Sequence, residues 1–96
     1  MEASTLSAAM DVLAERGGLS KDGTNYRCGS DHRLSFYIGQ PGHAMVLKTV
    51  ETADLQGSYA VLDMREEKGT MVVDVDAVHA VALGPAKPGD DRKAGF

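Results

Sequence analysis

The amino-acid sequence predicts an α+β fold, in which an N-terminal helix precedes a strongly bent antiparallel sheet or small barrel of five strands, with six as the alternative. Three observations give this prediction. Apolar residues near the N-terminus recur at helical spacing, the period changes to two after residue 19, and the segments of period two are joined by short turns. Short connections favour antiparallel pairing, and strong curling of the sheet would hide its edges.

The helix is predicted over residues 4–16. Ser4 or Thr5 is expected to cap its first turn, and the two glycines that follow Arg16 are expected to end it. Its apolar stripe is narrow and rich in small residues, so it would pack closely against a sheet or against a second copy of itself. The stripe consists of Leu6, Ala9, Met10 and Leu13.

Strands are predicted where apolar and polar residues alternate between turn residues. The first is short and expected at an edge, the second is half-buried, and the third is apolar on both faces near Met45 and therefore expected to be central. In chain order the strands cover residues 25–28, 33–39, 43–52, 58–66 and 70–83. The intervening turns fall at residues 21–24, 29–31, 40–43, 53–57 and 66–69.

The most apolar run, TMVVDVDAVHAVALG at residues 70–84, contains Asp74, Asp76 and His79. On one continuous strand the two carboxylates would share a face and His79 would point away from them, so the three do not form a catalytic group. The favoured interpretation is a strand to Val75, a single tight helical turn capped by Asp76, and a second strand from His79. Val78 is then expected to enter the core.

In order and size these elements resemble the SH3-like and Sm-like small barrels. The resemblance is one of architecture. True Sm proteins grip RNA with an Arg-Gly pair near the last strands, whereas this chain has Val73 and Asp74 followed by Val75 and Asp76. Fold analogy alone does not transfer function.

The 96-residue length predicts one domain over residues 1–84, followed by a flexible tail at 85–96 that is rich in proline, glycine and charge. The formal charge of −4 and the pI of about 5.2 disfavour broad attachment to nucleic acid or anionic lipid. A single cysteine excludes an intramolecular disulfide, and no segment has the features of a membrane span or a secretion signal. A cytoplasmic location is therefore expected.

The densest polar cluster lies between Lys21 and Arg33, and it is a weak candidate for binding an anion or nucleic acid. Guanidinium groups can bind phosphate through paired hydrogen bonds, and a tyrosine can stack on a base. A solvated loop is the stronger interpretation, because two aspartates dilute the charge and no phosphate-binding glycine motif occurs. The candidate residues are Lys21, Tyr26, Arg27, His32 and Arg33.

The sequence predicts neither a metal site nor a catalytic nucleophile. Cys28 and His32 have a spacing that a zinc site can use, with His43 and His79 as further ligands, but paired ligands at both ends are lacking. Ser30, Asp31 and His32 are adjacent in one loop and cannot form a serial triad. We therefore expect no metal, no cofactor and no catalytic residue.

The sequence leads to the hypothesis of a non-catalytic protein-interaction or regulatory module that acts through a sheet face or edge. Small size, acidic balance and a core with few aromatic residues all favour association with a protein partner or with itself. A small nucleic-acid or nucleotide-binding protein that uses the polar segment from Lys21 to Arg33 is the alternative.

Overall fold

The computed structural model describes residues 1–39, 45–66 and 69–85. Within these ranges, one helix precedes a strongly curled antiparallel sheet that forms a half-barrel. The elements are α1 (Ala3–Glu15), β1 (Leu19–Asp22), β2 (Asn25–Cys28), β3 (His32–Ile38), β4 (Met45–Leu55), β5 (Tyr59–Met64), β6 (Thr70–Asp74), a 3₁₀ turn (Val75–Ala77) and β7 (Val78–Pro85). None of the helices in the described residues is long and apolar enough to cross a bilayer.

The long strand β4 organises the sheet. Its first half pairs with β3, and its second half pairs with β2 along the same side and with β5 along the other. The register shifts between Leu34 and Phe36 on β3, and again between Val50 and Thr52 on β4. Such irregularities bend a strand and increase its twist, so β4 passes from one layer of the half-barrel to the other.

The core fills the concave side of the sheet and is covered by α1. Leu6 and Met10 of the helix are fully buried, as are Phe36 of β3 and Leu62 of β5. Val78, the first residue of β7 directly after the 3₁₀ turn, has no exposed surface, as the sequence predicts. The remaining buried residues are Leu19, Tyr26, Cys28, Leu34, Leu47, Val50, Thr52, Ala53, Ala60 and Val75.

The sheet has seven strands in the described residues, where five or six are expected from the sequence. The unexpected strand is β1, in which only Leu19 is buried and the next three residues are exposed. A strand with one buried residue gives no alternation to detect. It also changes the position of β2, which lies between β1 and β4 and is not the predicted edge strand.

Several predicted boundaries are corrected. The helix begins at Ala3 with Glu2 at its cap position and no side-chain capping bond, so neither Ser4 nor Thr5 is the cap. β4 continues to Leu55 through the predicted break, because Ala53 is buried between two partner strands. At the start of β4, Leu47 is buried but the two residues before it are exposed. The segment is therefore not buried on both faces, although its apolar sequence predicts this burial.

The 3₁₀ turn begins at Val75, and its cap lies two residues before the expected Asp76. Its cap is Asp74, whose carboxylate accepts a hydrogen bond from the Asp76 backbone N–H at 3.0 Å. The turn expected at 40–43, part of the hairpin at 66–69 and all but the first residue of the tail at 85–96 lie outside the described residues.

Gly17 and Gly18 end the helix with φ of +86° and +96°, a left-handed conformation that favours glycine. A Cβ on Gly18 would lie 2.7 Å from the His32 ring, whereas a Cβ on Gly17 would meet nothing within 4 Å. We therefore expect Gly18→Ala to lower the free energy of unfolding by more than the ~1–2 kcal/mol of the left-handed strain, and Gly17→Ala to cost only that strain. Urea denaturation of both variants checks this, and equal losses would contradict it.

Candidate functional site

Three side chains join α1 to the first hairpin, and we call them the corner cluster: Asp11, Lys21 and Tyr26. The Asp11 carboxylate accepts a hydrogen bond from the Tyr26 hydroxyl at 2.7 Å and from the Lys21 ammonium at 2.9 Å. The same ammonium lies 5.6 Å from the centroid of the Tyr26 ring. Tyr26 is only 1% exposed, so its ring is core and does not present a face for stacking on a base.

The corner cluster shifts the pKa values of its own members. The hydrogen bond from Tyr26, followed by that from Lys21, lowers the pKa of Asp11. The hydrogen bond to Asp11 raises the pKa of Lys21, and burial, reinforced by the bond to Asp11, raises the pKa of Tyr26. These pKa shifts are typical of a structural ion pair, here between Asp11 and Lys21, that is hydrogen-bonded to a buried tyrosine. The raised pKa of Lys21 keeps its ammonium charged.

The other predicted binding residues are dispersed. Arg27 is exposed and forms an ion pair with Glu51 across the strands at 3.3 Å. His32 is half-buried at the start of β3, where its Nδ1 lies 2.8 Å from an Asp31 carboxylate oxygen. Arg33 is half-buried and lines a cavity of about 180 Å³ next to Arg65. The structure thus brings Lys21 and Tyr26 together and leaves Arg27, His32 and Arg33 apart from them, and binding by these five residues remains a prediction.

Arg65 is a structural residue that the sequence analysis does not single out. Its guanidinium donates to the carbonyls of His32 at 2.9 Å, Gly29 at 3.0 Å and Cys28 at 3.1 Å, so it fastens the end of β5 to the loop between β2 and β3. A guanidinium offers several donors in one plane, which suits a loop whose carbonyls converge. No local signal could have identified it, because its three acceptors lie more than 30 positions away in the chain.

The two aspartates and the histidine of the apolar run do not converge. Asp74 caps the 3₁₀ turn, and Asp76 is exposed. His79 is also exposed, with its Nδ1 3.2 Å from the Gly39 carbonyl oxygen and its ring centroid 6.1 Å from that of Tyr37. The role of His79 is therefore to join β7 to the end of β3 at the surface.

The suggested zinc ligands do not assemble in the part of the chain that can be described. Cys28 is buried, and burial raises the pKa of its thiol, which places it in the core as a protonated group. His32 and His79 lie at separate places, and His43 falls outside the described residues. No group of three or more potential metal ligands occurs among residues 1–39, 45–66 and 69–85.

An apolar strand edge is the most distinctive surface of the molecule. In the described residues β6 pairs with β5 alone, so its other side is open. Three large apolar side chains on β5 and β6 are exposed, and Val72 is the most exposed at 63%. We call this surface the β6 edge: Tyr59, Met71 and Val72 with the unpaired side of residues 70–74.

In the described residues, β1, β7 and the part of β4 before Val50 also have one open side. The β4 segment carries exposed apolar side chains too, Met45 at 52% and Val46 at 37%, but neither is as exposed as Val72. β1 presents Ser20, Lys21 and Asp22, which are polar and exposed. β7 ends at Pro85, and none of its large apolar side chains is among the strongly exposed ones. Proteins protect free edges with charged side chains, especially lysine, with proline or with bulges. The sequence TMVVD of β6 contains no lysine, proline or register shift, and its one charged residue, Asp74, is its last. No local sequence pattern indicates this edge, because its exposure depends on which strands pair.

No protein-family model, curated protein or solved structure matches this chain. Function is therefore inferred from the geometry of the described residues. Of the surfaces described above, the corner cluster and Arg65 have internal structural partners, whereas the β6 edge has backbone and apolar groups that a second polypeptide can cover.

The corner cluster predicts a dependence of stability on pH at both extremes. The lowered pKa of Asp11 stabilises the fold above the unfolded pKa near 3.8, and this contribution is lost as pH falls through the folded value. The raised pKa values of Tyr26 and Lys21 stabilise the folded state at pH values below their unfolded pKa values of 10.0 and 10.5. This stabilisation is lost as the pH rises through their pKa values in the folded state. Tyr26→Phe should lower the free energy of unfolding by about 1 kcal/mol at neutral pH. It should also weaken the fall of that free energy at alkaline pH, which chemical denaturation at a series of pH values would measure. An unchanged alkaline limb would contradict the assignment.

Arg65→Met should lower the free energy of unfolding by about 2 kcal/mol, because it leaves carbonyls of the half-buried loop without their charged donor. Arg27→Met is the matched control, since it removes a surface ion pair and should cost under about 1 kcal/mol. Denaturant titration of the two variants measures both. Similar losses for the two arginines would show that the three carbonyl bonds contribute no more than an exposed ion pair.

Proposed function

We propose that this protein is a non-catalytic protein-interaction or regulatory module that binds a polypeptide through the β6 edge. The observation that supports this most is the coincidence of open backbone groups and exposed apolar side chains on one strand. An added strand takes its affinity from main-chain hydrogen bonds and its specificity from alternate side chains. The β6 edge provides both elements of such recognition.

The finer fold and location belong to the same proposal. An SH3-like or Sm-like architecture is supported by the meander of β3 to β6, the 3₁₀ turn and the return of β7 beside β3. The hairpin of β1 and β2 is an addition to the five strands of such a barrel. A cytoplasmic location is proposed on the sequence features given above.

Val72 and Val12 provide a matched pair of probes. Both are strongly exposed valines, at 63% and 50%, but Val12 lies on the outer face of the helix. A photo-crosslinking amino acid at position 72, expressed in cells that carry the protein, should form covalent adducts with a polypeptide, and the same group at position 12 should form few.

Mass analysis of the adducts then separates a second copy of the chain from a different protein, and either result supports the proposed function. Absence of adducts at position 72, or equal adducts at both positions, would overturn it. Cooperative thermal unfolding of both labelled proteins shows that each keeps the fold.

A further inference from the structure

We propose that the polypeptide bound at the β6 edge is a second copy of this chain, paired antiparallel to the first about a twofold axis at Val72. This inference rests on the proposed function, because it identifies the partner of that edge. It depends on three properties of β6: the direction of its free backbone groups, the self-complementarity of its side chains and the exposure of its central residue.

The hydrogen bonds at both ends of the β5–β6 ladder show which backbone groups are free. The Met64 N–H donates to the Gly69 carbonyl at 2.8 Å, and the Val75 N–H donates to the Ser58 carbonyl at 3.0 Å. Both bonds continue the register in which Val61 faces Val72. Because residues in an antiparallel ladder alternate in the side to which they bond, the residues directed away from β5 are Thr70, Val72 and Asp74.

Only one twofold register uses all three of these residues. When Val72 faces Val72 of the second copy, Thr70 faces its Asp74. The two valines can exchange a pair of backbone hydrogen bonds, and the Asp74 N–H can donate to the Thr70 carbonyl, while the Asp74 carbonyl also accepts the first bond of the 3₁₀ turn. A register centred on Met71 leaves Asp74 unpaired, and one centred on Val73 leaves Thr70 unpaired. Registers centred between residues would place the outer face of one strand against the inner face of the other.

The side chains agree with the register centred on Val72. On the outer face, Val61 and Val72 would continue into the same two valines of the second copy, which forms a stripe of four. On the inner face, Met71 would lie opposite Val73 of the second copy. The only charged side chain of β6, Asp74, would lie opposite a threonine, so that no carboxylate faces another. Opposed valines stabilise a pair of strands, and like charges directly opposite destabilise it.

The twofold axis makes a specific demand on position 72, because the residue there meets itself. Its Cα atoms would lie about 5.5 Å apart in a hydrogen-bonded pair. Two lysines or two glutamates at that distance repel, whereas one lysine and one glutamate attract. A contact between two different surfaces would not show this behaviour.

The test compares the wild-type chain with Val72→Lys, Val72→Glu and an equimolar mixture of the two variants by sedimentation velocity. We expect a wild-type dimer, at least about tenfold weaker association for each variant alone, and dimers restored in the mixture. Val12→Lys and Val12→Glu are the matched controls and should sediment as the wild type does. Restoration in the mixture also shows that the single variants are folded.

Three results would overturn the inference. A wild-type monomer up to millimolar concentration excludes self-pairing, and adducts from position 72 to a different protein would then preserve the proposed function without it. Variants that remain dimeric place the dimer contact on another surface. A mixture that stays monomeric excludes a twofold axis at position 72. If position 72 also forms no adduct in cells, the proposed function fails as well.

Discussion

The bend of β4 is the constraint on which the rest of the structure depends. An 11-residue strand is long enough to belong to two layers, provided that its path turns between them. The irregular pairing between Val50 and Thr52 supplies that turn. Before the bend β4 pairs with β3, which in turn pairs with β7, and after the bend it pairs with β2 and β5. The core is therefore enclosed by one continuous sheet and a single helix.

The same bend determines how the edges are exposed. A sheet curled around one strand ends in free strands unless it closes completely, and in the described residues β1, β6 and β7 are the free ones. β1 is made polar, and its Lys21 is fixed by Asp11 of the helix. β7 has no large apolar side chain among the strongly exposed ones, and it ends in a proline. Among these three strands in the described residues, only β6 has an apolar side chain exposed over more than half of its surface, Val72 at 63%.

The sequence was sufficient for the helix, for the approximate positions of β2 to β5 and for the 3₁₀ turn, because each of these has a local signal. The fully buried Val78 is the clearest success, since a tight turn within an apolar run has to bring a side chain into the core. The missed strand and the underestimated length of β4 have a common cause in strand pairing. Leu19 alone could not indicate β1, and the continuation of β4 through Ala53 depends on strands from distant parts of the chain. Among the candidate site residues, Tyr26 looked like a surface aromatic, yet Asp11, 15 positions away, draws its hydroxyl into the corner cluster.

Exposure of an apolar side chain is by itself weak evidence for function, because much of any protein surface is apolar. Val12 and Val72 illustrate what adds weight. On the helix, the backbone groups of Val12 are directed along the axis of α1 and not sideways toward solvent, so a partner beside Val12 would gain from side-chain contact. On β6, the backbone N–H and C=O of Val72 are directed to an open edge. A strand partner there would therefore gain main-chain hydrogen bonds as well as contact with the valine side chain. An exposed valine therefore indicates a binding site more strongly when the backbone that carries it has hydrogen-bonding groups without a partner strand.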